Sequence, residues 1–288
     1  MRKAGMKLDP AAVKELVRRA LEEDIGPGDI TTAALVPPEE EVSAEIVAGE
    51  PLVVAGLPVA AEVFAQLDAR VVFEPLLADG SAVSAGARVA VVSGPAAPIL
   101  TGERTALNFL QRLSGVATLT RRFVERAEGG SATILDTRKT TPGLRHLEKY
   151  AVAAGGGANH RMGLHDRILV KDNHLCILKR YSADAVARAV ALARERSPGV
   201  PVEVEADRLE EAEAAAKAGA DCILLDNMTA GELREAVELI DGRAAAEASG
   251  GVTLETVAEI ARTGVQFISV GALTHSARAV DLSLAILA

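Results

Sequence analysis

Residues 135–174 read LDTRKTTPGLRHLEKYAVAAGGGANHRMGLHDRILVKDNH, and they set the fold. ATILD (132–136), which runs into this stretch, is a short apolar segment ending in an acid, and RILVK (167–171) is another ending in a base. Both read as buried strands whose last residues emerge at one edge. Between them Pro142 opens a helix that carries Leu144, Leu147, Tyr150, Ala151 and Ala154 on one face, and Gly155, Gly156 and Gly157 close it. Strand, helix, loop, strand is an α/β unit, and parallel strands joined this way bring their C-terminal ends to the same side. Asp136, Arg138, Lys139, His160, Arg161 and Lys171 can therefore converge.

The same forty residues hold four of the five histidines and, of only eight lysines, Lys139, Lys149 and Lys171, beside Arg138, Arg145, Arg161 and Arg167. In a chain of net charge −9 this is a local positive site. Forked guanidinium contacts and compact ammonium charges suit a small, multiply charged anion. A single Arg or Lys is more often a solvated surface charge, and His146, inside the helix, reads as structural. His160, His165 and His174 with Asp166 and Asp172 match no common zinc spacing, and the neighbouring cations oppose a metal.

Downstream the alternation continues through VPVEVE, CILLD, AAAEAS and QFISV, which end near Glu205, Asp226, Ser249 and Gly271, positions 21, 23 and 22 apart. That is the rhythm of minimal strand–helix units side by side. Thr229 with Glu232 forms a capping box, and Thr253 is placed to cap the next helix. Six strands are too few for a closed eight-stranded barrel, so pattern alone leaves an open barrel or a doubly wound sheet.

Upstream, Asp9 caps a helix with Pro10 at its first position and Val13, Leu16, Val17, Ala20 and Leu21 on one face. Residues 41–95 then turn to short β-branched or alternating runs, which predict a compact antiparallel sheet. Residues 98–128 predict helix again, broken at Ser114 and Gly115, with Arg104 on its first part.

Glu205 and Asp226 each end an apolar strand, where a carboxylate needs a cation or a donor. One reading is an ion pair with Lys171 or an arginine; the other is a site for hydrated Mg²⁺ and sugar hydroxyls, with Glu203 a weaker candidate. Ser249, Gly250, Gly251 and, one unit later, Gly271 follow strands and precede helices, where bare backbone N–H groups can meet a phosphate; tight turns use the same residues.

The runs DTRKTTPGLR, EKYAV, GGGANHR and ILVKDNH, with VEVE, LLDN and EASGG after them, resemble quinolinate phosphoribosyltransferase, the decarboxylating nicotinate-nucleotide pyrophosphorylase. The resemblance extends from GDITT (28–32) to GALTH (271–275). It implies an N-terminal α/β sandwich, residues 1–115, joined by a C-terminal helix, and an incomplete α/β barrel, residues 116–288. It implies a glycosyltransferase that moves phosphoribose from PRPP to quinolinate with loss of CO₂, in NAD biosynthesis. Lys139, Lys171, Glu205 and Asp226 would be catalytic, and Arg104, Thr137, Arg138, His160, Arg161, Ser249, Gly250, Gly251 and Gly271 would join them in binding substrate. Glu205 and Asp226 would hold Mg²⁺, directly or through water. The assembly would be a homodimer or higher oligomer in which Arg104 reaches the neighbouring site.

Composition agrees without having suggested this. The chain is 288 residues long, 49% hydrophobic and 25% charged, as ordinary globular proteins are. No apolar run is long enough to span a membrane and the N-terminus lacks a signal-peptide core, so the expectation is a cytoplasmic protein. Cys176 and Cys222 read as free thiols, and the acidic balance argues against nucleic acid. Two other readings remain at this stage. A phosphoribosyltransferase acting on nicotinate or another base would keep the PRPP loops without the dicarboxylate contacts; a phosphate-binding or isomerase-like barrel would release no CO₂.

Overall fold

The computed structural model describes residues 7–287. In chain order the elements are α1 (Pro10–Ile25), α2 (Ile30–Leu35), β1 (Glu41–Ala48), β2 (Leu52–Val53), α3 (Leu57–Leu67), β3 (Val72–Pro75), β4 (Ala82–Val83), β5 (Arg88–Pro95) and α4 (Ala96–Arg126). They continue with β6 (Thr133–Leu135), α5 (Arg145–Ala154), β7 (Ile168–Val170), α6 (Asp172–Leu178), α7 (Ala185–Arg196), β8 (Val202–Ala206), α8 (Leu209–Ala218) and β9 (Cys222–Asp226). Last come α9 (Ala230–Ile240), β10 (Ala245–Ser249), α10 (Val257–Ala261), β11 (Phe267–Ser269), α11 (Ala272–His275) and β12 (Leu282–Ile286). The chain divides into two compact units, one of Met1–Arg121, His146–Gly156 and Ser276–Ala288, the other of Arg122–Arg145 and Gly157–His275. No helix among the described residues is long and apolar enough to cross a membrane.

The first unit is built on a four-stranded sheet in the order β12-β1-β5-β3, antiparallel throughout. The predicted antiparallel sheet is there, but its edge is closed from the far end of the chain. The expected C-terminal helix is a strand, with Ala44 opposite Ile286 and Ala48 opposite Leu282. LSLAI is as compatible with a helix as with a strand; the unpaired N–H and C=O groups along β1 decide for strand. The strand-rich reading of 41–95 also missed α3, which buries Val59, Val63 and Phe64 after a left-handed Gly56. At α1 the sequence signal was sufficient: Asp9 accepts from the Ala11 N–H, and Val13, Val17 and Leu21 are buried. His146 is structural, as expected, accepting the Asp9 N–H at 2.9 Å.

α4 runs unbroken for 31 residues, so the break expected at Ser114 and Gly115 does not occur. Gly115 is present for proximity instead. A Cβ there would lie 2.0 Å from the Arg278 carbonyl oxygen. Ser114 is buried and takes the Ala55 N–H at 3.0 Å.

The second unit is one parallel sheet in the order β6-β11-β10-β9-β8-β7. All six predicted strands are present. β6 and β7, consecutive in the chain, occupy opposite edges, so the sheet is an incomplete barrel. Side chains of a strand alternate between its faces. One parity (Ile134, Val170, Val204, Ile223, Leu225, Ala246, Ala248, Ile268) is apolar and buried under the helices. The other parity runs through Leu169, Lys171, Glu203, Glu205, Leu224, Asp226, Glu247, Ser249 and Ser269 in register across the sheet, and it carries the polar groups. The predicted capping box at Thr229 and Glu232 forms at α9. The helix after β10 is capped otherwise than expected. Thr253 bonds the N–H groups of Glu255 and Thr256 in a turn, and α10 begins only at Val257.

Gly115→Ala drives a methyl into backbone and should destabilise the protein by about 2–3 kcal/mol, whereas Gly231→Ala in α9, with its nearest neighbour atom at 3.9 Å, should stabilise it by a few tenths to about 1 kcal/mol. Urea midpoints of the two variants against wild type measure both.

Candidate active site

On the polar face of the second unit's sheet, at the strand C-terminal ends, is a cleft of about 250 Å³. Lys171, Glu205, Asp226 and Ser249 reach it from the ends of β7 to β10, with Leu169, Leu224, Glu247 and Ser269 one step deeper. Thr137, Arg138 and Lys139 enter from the loop after β6, and His160 and Arg161 from the loop before β7.

The two loops are fixed from beneath. Asp136 is fully buried and accepts the His160 N–H at 2.9 Å and the Asn159 side-chain amide at 2.6 Å. Arg145 donates to Thr140 Oγ1 at 3.0 Å and to the Met162 carbonyl at 3.2 Å, tying the second loop to the first. Lys139 is held by its backbone: its N–H donates to Thr137 Oγ1 at 3.0 Å, and its carbonyl accepts from Thr274 at 2.8 Å. Gly271 leaves room for the lysine stem, since a Cβ would lie 3.1 Å from Lys139 Cδ.

The cleft is short of negative charge. Arg138 Nε is buried with no hydrogen-bond partner. Burial, then the like charge of Arg138, draws the Arg161 guanidinium below its ordinary value. Two guanidiniums facing one another in a dehydrated site cost free energy that a bound anion returns. Opposite them stand the acids. Glu205 is ion-paired with Lys171, which is the first of the two readings its sequence allowed. Asp226 is half-buried and accepts from Asn227 Nδ2 at 2.8 Å. Together they present hard carboxylate oxygens at the mouth of the cleft, a donor set that fits Mg²⁺.

Below the cleft lies a buried polar cluster. The Arg161 N–H donates to His160 Nδ1 at 2.8 Å, which leaves the ring proton on Nε2. That Nε2–H is 3.1 Å from Glu203 and 3.5 Å from Glu247. Arg167 Nη1 donates to Glu203 at 3.1 Å. Burial alone would raise the Glu203 carboxyl, but His160 and Arg167 hold it below its ordinary range. At Glu247 burial, then the charge of Glu203, outweigh His160, Ser269 and Arg167 and push the carboxyl up to about 7. The Cys222 thiol is raised by burial and by Glu203. Cys222 and Cys176 are both free.

Not every candidate lines the cleft. Arg104 lies in the first unit, exposed on α4. Ser249 lines it; Gly250 and Gly251 follow with φ of 89° and 58°, seven and six residues before the first residue of α10, so their N–H groups do not head a helix. Gly250 is there for proximity, because a Cβ would fall 2.2 Å from Asn227 Oδ1. Of the histidine and acid set, Asp166 accepts the Met162 and Gly163 N–H groups, and His174 accepts that of Lys171. Sequence reasoning missed Glu247, although its place two residues before Ser249 in AAAEAS matched that of Glu203 before Glu205. His160, Glu203 and Glu247 have the mutual spacing of metal ligands, but Arg167 already sits on Glu203.

The chain matches the family models for the quinolinate phosphoribosyl transferase N-terminal domain over residues 29–114 and C-terminal domain over residues 116–285. It is 42% identical over 273 residues to a probable nicotinate-nucleotide pyrophosphorylase [carboxylating] of Bacillus subtilis, covering 94% of this chain and 92% of that one. It is 43% identical over 281 residues to the nicotinate-nucleotide pyrophosphorylase [carboxylating] of Mycobacterium leprae, covering 95% and 96%. The solved nicotinate-nucleotide pyrophosphorylase of Francisella tularensis superposes with a TM-score of 0.92 at 40% identity, over 98% of this chain and 99% of that one. With both domain models matched in order and relatives aligned end to end, the chain belongs to the quinolinate phosphoribosyltransferase family.

Proposed function

We propose that this protein transfers the phosphoribosyl group of PRPP to quinolinate and releases pyrophosphate and CO₂, yielding nicotinate mononucleotide for NAD biosynthesis. The observation that carries the reading is the cleft's unbalanced charge: Arg138 with an unbonded Nε, Arg161 buried beside it, and Lys139 and Lys171 within reach. Quinolinate brings two carboxylates and PRPP a phosphate and a pyrophosphate, so the reaction needs such a site in a low-dielectric cleft. Arg138 and Arg161 suit the dicarboxylate; Ser249 and the open backbone at Gly251 suit the phosphate.

As the bond from the anomeric carbon to pyrophosphate breaks, that carbon gains positive charge, and Glu205 and Asp226 stabilise it. Lys139 and Lys171 follow the charge leaving with the phosphates. If Lys171 turns to a phosphate, Glu205 is released to face the sugar. The pyridine nitrogen then bonds the anomeric carbon. The resulting ring cation accepts the electron pair of the adjacent C–CO₂ bond; CO₂ leaves and the ring carbon takes a proton. No side chain acts as nucleophile, so positioning carries most of the acceleration. Glu205 and Asp226 would hold Mg²⁺, whose role when bound is to neutralise pyrophosphate charge. Arg104, exposed on α4, would serve the site of a second subunit in a homodimer.

Four outcomes test this. With PRPP and Mg²⁺, the protein should release CO₂ and pyrophosphate from quinolinate and not from nicotinate; equal use of nicotinate would favour the other base specificity. Lys139→Ala should lower kcat at least about tenfold, or about 1.4 kcal/mol, with folding intact by circular dichroism. Asp226→Asn should lower turnover and change its Mg²⁺ dependence, while Ser249→Ala raises mainly the KM for PRPP; unchanged Mg²⁺ dependence would leave the acids as ion-pair partners only. Exchange of Arg104→Ala with Lys139→Ala subunits should restore about a quarter of wild-type activity, because about half the dimers are mixed and each has one complete site. No gain after exchange verified by native mass would place Arg104 outside a shared site.

A further inference from the structure

We propose that Glu247 is a positioning residue for the dicarboxylate subsite: with Glu203 it clamps His160 Nε2, which fixes the ring so that Nδ1 holds the Arg161 backbone N–H and thereby aims the Arg161 guanidinium into the cleft. The inference rests on the quinolinate reading above and extends it to the layer beneath the charged strand ends.

The geometry is a relay of three residues. Arg161 N–H to His160 Nδ1 is 2.8 Å, and His160 Nε2 is 3.1 Å from Glu203 and 3.5 Å from Glu247. A ring accepting at Nδ1 has one proton to give; Glu203 takes it, with Glu247 in charge contact on the same nitrogen at 3.5 Å. Glu203 is also bonded by Arg167 at 3.1 Å. Glu247 is the less compensated member: its carboxyl is buried on the cleft floor with only the 3.5 Å approach of His160 Nε2 and the Ser269 side chain to offset it. A weakly compensated carboxyl in a fully buried strand is costly to retain for packing alone. It is tolerable when protonated, since Glu203 and Arg167 then cancel and the cluster adds no charge beneath the anion. Burial and Glu203 raise its carboxyl as this requires.

The groups that face Glu247 are Glu203 from β8, Cys222 from β9, Ser269 from β11, Arg167 and His160. Of these, Glu203 is held ionised and Cys222 protonated, which leaves Glu247 to titrate near neutrality. Its folded-state value lies above the unfolded one, so the protonated, uncharged form prevails below about pH 7 and is lost above it. Above that pH an added negative charge sits under the site that must accept a dianion, and quinolinate affinity falls. The three residues also have metal-ligand spacing. Arg167 on Glu203 makes the proton the favoured cation there.

Wild type, Glu247→Ala and Glu247→Gln are compared by initial rates with quinolinate and PRPP varied separately. In Glu247→Ala the KM for quinolinate should rise about tenfold or more, with the KM for PRPP changed less than about twofold. Glu247→Gln, which keeps size and a donor towards Glu203, should raise the quinolinate KM less than about threefold. The ratio of wild-type to Glu247→Gln quinolinate KM should increase from about pH 6 to about pH 8, because the amide does not titrate. If Glu247→Ala does not fold, this ratio alone decides. Equal effects on both KM values, a flat ratio across that pH range, or a stoichiometric transition metal lost in Glu247→Gln would each overturn the proposal. Failure of the quinolinate reading would be seen separately, as absence of CO₂ release by the wild type.

Discussion

A β-strand offers its side chains to two faces in strict alternation, and the second unit depends on how each strand uses that constraint. The apolar parity of β8, β9 and β10 is almost completely withdrawn from water. The other parity places Glu203, Glu205, Asp226, Glu247 and Ser249 in register on the opposite face. A one-residue slip would exchange the two sets, putting carboxylates under the helices and valines in the cleft. Folding and chemistry are therefore set by the same register. Most of the charged interior is matched: Arg167 with Glu203, Lys171 with Glu205, and His160 Nε2 with Glu203.

The parts legible in the sequence were those fixed locally. Strand C-termini marked by Asp136, Lys171, Glu205, Asp226 and Ser249 could be read because a charged or small residue ends each apolar run, and the cap at Asp9 could be read because Pro10 follows it. What could not be read depended on distant partners. Gly115 looks like a helix terminator until the Arg278 carbonyl is seen 2.0 Å from where its side chain would be. LSLAI carries no sign that β1 awaits it. The helix read from Pro142 begins at Arg145, since residues 142–144 turn first.

The site was legible to a similar depth. Lys139, Arg161 and Asp226 stood out through the company they keep, and the resemblance gave them a purpose. Glu247 did not, because AAAEAS contains a single acid among alanines and resembles any short strand with one polar residue. Its meaning arises only when β8 lies beside β9 and β9 beside β10, bringing a second acid and a histidine to it. Glu203, two positions before Glu205 in VPVEVE, carries the same alternation and reads as the weaker candidate beside it.

The pairing of β1 with β12 has a consequence for biosynthesis. A ribosome delivers β1 long before β12, with every strand of the second unit between them, so the sheet of the first unit waits with one edge unfilled. The parallel sheet of the second unit, whose strands all lie between, has its full complement earlier. The nascent chain must therefore keep an open strand edge from pairing with other nascent chains while the rest is made, a hazard that short exposure and chaperone shielding are suited to limit.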